Sequence, residues 1–190
     1  MSGTVTRPRP RIESLSDLIF GLALSIGAIS LIGNPPLAPT QLYNDLISFA
    51  FSFLILISVW IRYTQIMSVL PLENRRTIFL NIVLLFCVSI EPFLFNLLSA
   101  RNLSTDSPDQ VRLVDSASQL YAVDLGAMML ILGFFTYLIA SEERKLIASD
   151  LIKQFKLQSY AQIISGALFF VTVHPIFWNT VVLEIGRAHV

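Results

Sequence analysis

Arg11, Ser16 and Asp17 stand within two helical turns of one another at the opening of a long apolar run, and their chemistry most needs explaining in this 190-residue chain. A guanidinium, a hydroxyl and a carboxylate at the edge of a hydrophobic segment must find partners, because hydrocarbon supplies none. Two arrangements would satisfy them. Ser14, Ser16 and Asp17 all suit the start of a helix as capping residues. Alternatively, Asp17 lies about one turn inside the helix and meets a donor from a neighbouring helix. The other reactive groups inside apolar runs are Glu91 beside Pro92, Asp124, His174 beside Pro175, and Cys87. Glu91 and Asp124 are expected near the ends of their segments, with Glu91 reaching water at the interface rather than holding a proton or cation. His174 is expected to be exposed at a turn, and Cys87, Met128 and Met129 to serve packing. A single cysteine allows neither an internal disulfide nor a cysteine metal cluster. No Ser-His-Asp order, His-Glu-x-x-His pair or Gly-rich phosphate loop occurs, so neither catalytic residues nor a cofactor are expected.

The elements that must position these groups are hydrophobic helices. The chain is 54% hydrophobic and only 14% charged, where a soluble domain carries about a quarter charged residues. Its mean hydropathy is +0.69, and the charges fall between long apolar runs, the pattern of an integral membrane protein. Zero net charge gives no basic field for nucleic acid. Spans are expected at about Leu15–Gly33, Asp45–Val69, Thr77–Leu98 and Ser116–Ala140, with a polar loop over Ala100–Asp115. A charged amphipathic stretch, Glu142–Lys156, precedes the last apolar region, Leu157–Leu183. His174-Pro175 divides that region into a fifth helix and a shortened sixth. Residues 1–183 thus read as one membrane domain. Glu184-Ile-Gly-Arg-Ala-His-Val190 resembles a translated sequencing-adaptor read-through and is expected to carry no function. Arg7, Arg9 and Arg11, then Arg62, Arg75 and Arg76, then Arg144, Lys145, Lys153 and Lys156 alternate with loops poorer in net positive charge. The positive-inside rule therefore places the N-terminus in the cytoplasm.

At 100° per residue, Leu18, Leu22, Ser25 and Ile29 share one stripe of the first helix, with Ile26 and Gly33 at its edge. Asp17, Gly21, Leu24 and Ala28 form a second stripe about 120° away. The small residues Gly21, Ala23, Gly27 and Ala28 would permit close approach of a neighbouring helix. Periodicity leaves open whether the aliphatic stripe meets lipid, another helix or a pore.

Arg11-x-x-x-Leu15-Ser16-Asp17 resembles the Arg-x-x-x-Phe-Ser-Asp signature of the transmembrane protein 175 family, endolysosomal potassium channels and their prokaryotic homologues. Trp60 is similar to the tryptophan late in the family's second helix. Asn81 and Pro92 resemble the residues bracketing its third, Tyr121 fits the start of its fourth, and His174-Pro175 resembles a Ser-Pro turn between its last two. The chain departs from the pattern at Leu15, where the family has Phe, and at Tyr63, where it often has His. The resemblance implies an all-α bundle of six transmembrane helices per subunit, assembled as a homotetramer around a central pore lined by the first helix. It further implies a cell-membrane, multi-pass protein that passes potassium and needs only the permeant ions, membrane lipids and its own copies as partners. By offset from Ser16-Asp17, Leu22, Ile26 and Ile29 would form the constricting aliphatic rings, with Ser25 on the same face. Arg11, Ser16, Asp17, Trp60 and Asn81 would form the network that holds the helix.

A passive, potassium-preferring channel is therefore the leading expectation. A proton-coupled secondary transporter using Glu91, Asp124 and His174 is the alternative; it needs carboxylates near the membrane midplane and usually a repeat with broken helices. A non-transporting membrane scaffold is the third.

Overall fold

A computed structural model describes residues 11–33, 36, 38–70, 74–99, 108–141 and 149–187. The side chains of Arg11 and of residues 171–187, His174 and Trp178 among them, lie outside the described set. Five helices account for nearly all of the described residues: α1 (Arg11–Gly33), α2 (Pro39–Met67), α3 (Arg75–Ser99), α4 (Pro108–Ile139) and α5 (Ser149–Arg187). The chain folds as the all-α bundle its apolar runs predict. Pro39 opens α2 after an extended Ala38, where a residue without an N–H costs no hydrogen bond.

Pro39–Met67, Arg75–Leu98 and Arg112–Ile139 are long and apolar enough to cross a membrane. The shortest of them, at about 1.5 Å per residue, reaches about 36 Å against a hydrocarbon core of about 30 Å. The apolar part of α1, Ser14–Ile29, is shorter. The protein is a membrane protein by this pattern, and its surface agrees. Phe79, Ile82, Phe86 and Phe93 form an exposed stripe along α3 that water would not tolerate.

The core lies where α1, α2, α3 and α4 meet. Phe20, Leu56, Tyr63, Leu84, Val88, Met128, Leu132 and Phe135 are fully enclosed there, and Phe20 and Tyr63 stack with centroids 5.5 Å apart. Outside this core, α5 packs along α4. That approach is close because both helices lack side chains at the crossing. A Cβ on Gly166 would meet the Gly126 carbonyl oxygen at 2.9 Å, and one on Gly126 would meet the Gly166 oxygen at 3.1 Å.

Three expectations are corrected. The turn at His174-Pro175 and the sixth helix are not formed, since α5 runs unbroken through both residues. Proline removes one backbone donor but keeps a helix-compatible φ, so in a long apolar helix it need not end the run. The polar loop assigned to Ala100–Asp115 is shorter, because α4 already begins at Pro108. Tyr121 accordingly sits mid-helix. The small residues of α1 meet a neighbouring helix in part: Ala23 is buried in the core and a Cβ on Gly27 would lie 3.5 Å from the Phe49 ring of α2, but nothing lies within 4 Å of a Cβ on Gly21 and Ala28 is exposed.

Candidate functional site

The face of α1 that packs is neither of the two stripes read from the sequence. Ser16, Phe20 and Ala23 are buried, with Ile19 and Leu24 partly so. At 100° per residue these three centre roughly opposite Leu18, Leu22, Ser25 and Ile29. That second set is correspondingly open: Leu22 is 58% exposed, Ile29 61% and Ile26 43%. Ser25 is also exposed and returns its hydroxyl to the Gly21 carbonyl at 2.8 Å. The chain therefore holds α1 by one side and presents an aliphatic ridge, broken by a single hydroxyl, on the other.

What holds α1 is a polar cluster facing α2 and α3. The Ser16 hydroxyl is fully buried. It donates to the Ile12 carbonyl at 2.8 Å and accepts from the Tyr63 hydroxyl at 2.7 Å and the Asn81 amide at 3.4 Å. One proton and two lone pairs are thus all engaged. One turn along the surface, Trp60 Nε1 donates to Asp17 Oδ1 at 3.2 Å. Asp17 consequently works across helices rather than as a cap: α1 already starts six residues earlier, at Arg11. Four of the five residues expected to form a network, Ser16, Asp17, Trp60 and Asn81, come together here. The fifth, Arg11, has its side chain outside the described residues. Tyr63 replaces a histidine of the pattern and supplies a hydrogen bond that carries no charge.

A second polar cluster sits at the opposite end of α2 and α3. Glu91 is 0% exposed; Ser52 donates to its two oxygens at 3.1 and 3.0 Å, and the Tyr121 hydroxyl donates to Oε1 at 3.2 Å. Phe95 closes the site, its ring 5.7 Å from Tyr121 and 6.0 Å from Phe51. Asp124 is 6% exposed, one turn beyond Tyr121, and its Oδ2 has no hydrogen-bond partner. The expectation that both carboxyls lie near the surface is therefore wrong. Glu91 does not snorkel because hydroxyls from α2 and α4 meet it inside the bundle. The signal available in the sequence was weak: Ser52 and Tyr121 lie 39 and 30 residues away and look unremarkable in isolation. Among the described residues no group of three His, Cys, Asp or Glu side chains is placed to hold a metal ion.

Comparison with known proteins adds to this geometry. The family profile described as endosomal/lysosomal potassium channel TMEM175 matches residues 11–92, α1 through most of α3. Two solved structures share the fold. A variant of the potassium channel MtTMEM175, crystallised with a nanobody fusion, aligns with TM-score 0.64 and 18% identity, over 91% of this chain and 83% of that one. A lysosomal potassium-selective channel TMEM175 homologue from Chamaesiphon minutus aligns with TM-score 0.60 and 21% identity, over 94% and 95%. No curated protein matches the chain. The resemblance carried by Arg11–Asp17, Trp60, Asn81 and Pro92 is borne out by the profile match and by the shared fold.

Proposed function

We propose that this chain, a prokaryotic homologue of the transmembrane protein 175 channels, is one subunit of a passive, potassium-preferring cation channel. Four copies surround a central pore lined by α1, with the N-terminus in the cytoplasm. The observation that carries this reading is the two-sidedness of α1. Its buried side is fixed by Ser16, Phe20 and Ala23, while Leu22, Ser25, Ile26 and Ile29 remain available to face the same residues of other copies.

In such an assembly each of Leu22 and Ile29 repeats around the axis as an aliphatic ring. A narrow ring excludes ions by dewetting, and a wider one passes partly hydrated cations. The Ser25 hydroxyls, one turn from Leu22, replace some of the water lost there. No covalent step is required, and the permeant ion is the only small molecule the mechanism needs. The Ser16–Tyr63–Asn81 cluster fixes where α1 stands relative to α2 and α3, so it sets the radius at which the rings form.

Reconstitution into liposomes with a potassium gradient tests the proposal. Potassium flux is expected, and substituting Leu22→Ala or Ile29→Ala should raise it and lower its preference for potassium over sodium. A folded, assembled protein that passes no potassium would overturn the reading.

A proton-coupled secondary transporter is the second reading, and the burial of Glu91 and Asp124 favours it. It ranks behind because Glu91 already has both oxygens engaged by hydroxyls, and the five helices contain no pair of broken spans. Saturable transport with a fixed proton stoichiometry would promote it.

A further inference from the structure

Helices α2 and α5 both pack on α4, yet among the described residues they do not pack on each other. Between them runs a groove of about 860 Å³, within the roughly 300–1,000 Å³ range of sites that enclose a small molecule. Its length is apolar, with Leu54, Ile55, Leu125, Met129 and Ala161 among its walls. One end is polar. There Arg62 of α2 reaches across and donates to the side-chain carbonyl of Gln158 on α5, with the amide turned so that its oxygen faces the guanidinium. Thr136 donates to Gln162 Oε1 at 3.0 Å on the same wall. A smaller cavity of about 290 Å³ continues from this end, sharing Arg62, Gln65, Gln158 and Gln162.

Arg62 is exposed, and among the described residues no carboxylate pairs with it. Among the described residues the guanidinium meets only a neutral amide, which leaves it donors and its charge for an anion. Lys153 adds positive charge at the same end of α5. An apolar trough closed by an arginine that no described carboxylate neutralises, in a membrane protein, matches one class of molecule: an amphiphile with a negative head and a hydrocarbon tail.

We propose that an anionic phospholipid occupies this groove, its phosphate on Arg62 and one acyl chain laid between α2 and α5 against α4. The inference rests on the membrane reading of the chain but not on conduction. A lipid wedged there bridges α2, which carries Trp60 and Tyr63 of the α1 cluster, to the α4–α5 pair. Lipid composition would thereby bear on how firmly α1 is held.

The test uses the full chain, purified in detergent, stripped of lipid and incubated with phosphatidylglycerol or phosphatidylcholine of identical chains. Native mass spectrometry counts what is retained. Phosphatidylglycerol should be retained about fivefold better, as befits one favourable charge contact near a membrane surface. Arg62→Gln should abolish that preference and Arg62→Lys should keep most of it. Ala161→Phe, which fills the apolar part, should lower retention of both lipids while leaving helicity unchanged. Equal retention of the two lipids by the wild type, or a preference that survives Arg62→Gln, would overturn the proposal. So would an Ala161→Cys variant shielded from thiol reagents without added lipid, since a neighbouring subunit would then fill the groove. Because retention is read by mass, these outcomes leave the flux experiment untouched, and a failure of flux leaves them untouched.

Discussion

The two ends of the α2–α3 pair solve one problem with different chemistry. At one end Ser16, Tyr63 and Asn81 join three helices through hydroxyls and an amide, and the carboxylate of Asp17 stays partly exposed against Trp60. At the other, Ser52 and Tyr121 surround Glu91, which is wholly enclosed and has Asp124 close by along the same stretch of bundle. The neutral cluster includes α1, the helix with the open aliphatic ridge. The acidic cluster does not include α1 and ties α2, α3 and α4 to each other. The difference separates two jobs. The first cluster positions the helix proposed to meet the ion, and the second holds the frame against which that helix rests.

Breaking the clusters one at a time sharpens this division. Ser16→Ala has the largest expected effect. It removes the shared acceptor of Tyr63 and Asn81, at about 1–3 kcal/mol for each buried donor that loses its bond. Thermal unfolding in detergent should fall clearly, and potassium flux in liposomes should change with it. Glu91→Gln comes next. The amide keeps the volume but turns one acceptor into a donor facing the hydroxyls of Ser52 and Tyr121, at a cost of about 1–2 kcal/mol. Stability should drop while flux and selectivity per folded channel stay at the wild-type level. Should Glu91→Gln alter flux as strongly as Ser16→Ala, the division of labour fails and the transporter reading gains. Tyr63→Phe removes one donor to Ser16 and keeps the stacking on Phe20, so about 0.6 kcal/mol is expected, the mean for such bonds between membrane helices. Trp60→Phe is the mildest, at about 0.5 kcal/mol or less, because Asp17 is partly exposed and water takes over its lost bond.

Much of the first cluster was legible in the sequence, and little of the second. Ser16 and Asp17 declare themselves because polar groups at the mouth of an apolar run demand partners, and the resemblance supplied Trp60 and Asn81 as those partners. Helix positions followed from the lengths of apolar runs, to within a few residues at most ends. Glu91 misled because a carboxyl beside a proline near a span's end has an easy route to water, and only the arrival of Ser52 and Tyr121 from other helices removes it. Pro175 misled for a related reason: the rule that proline stops helices describes helices whose backbone can turn to solvent. The face that buries α1 was hidden because Phe20, the side chain that fixes it, looks in sequence like any other apolar residue. Its partner Tyr63 is more than forty positions away.

The open ridge of Leu22, Ile26 and Ile29 has a consequence for how copies would come together in the proposed assembly. In water such a ridge would drive association by itself, but fatty tails welcome a branched alkane as readily as another protein does. A lone subunit in a bilayer is thus under no solvation penalty, and each chain can insert fully before it meets a second. The free energy of gathering must then come from close steric fit and from the freedom regained by displaced lipids. Dilution with excess lipid should dissolve the complex back to single chains without unfolding any of them.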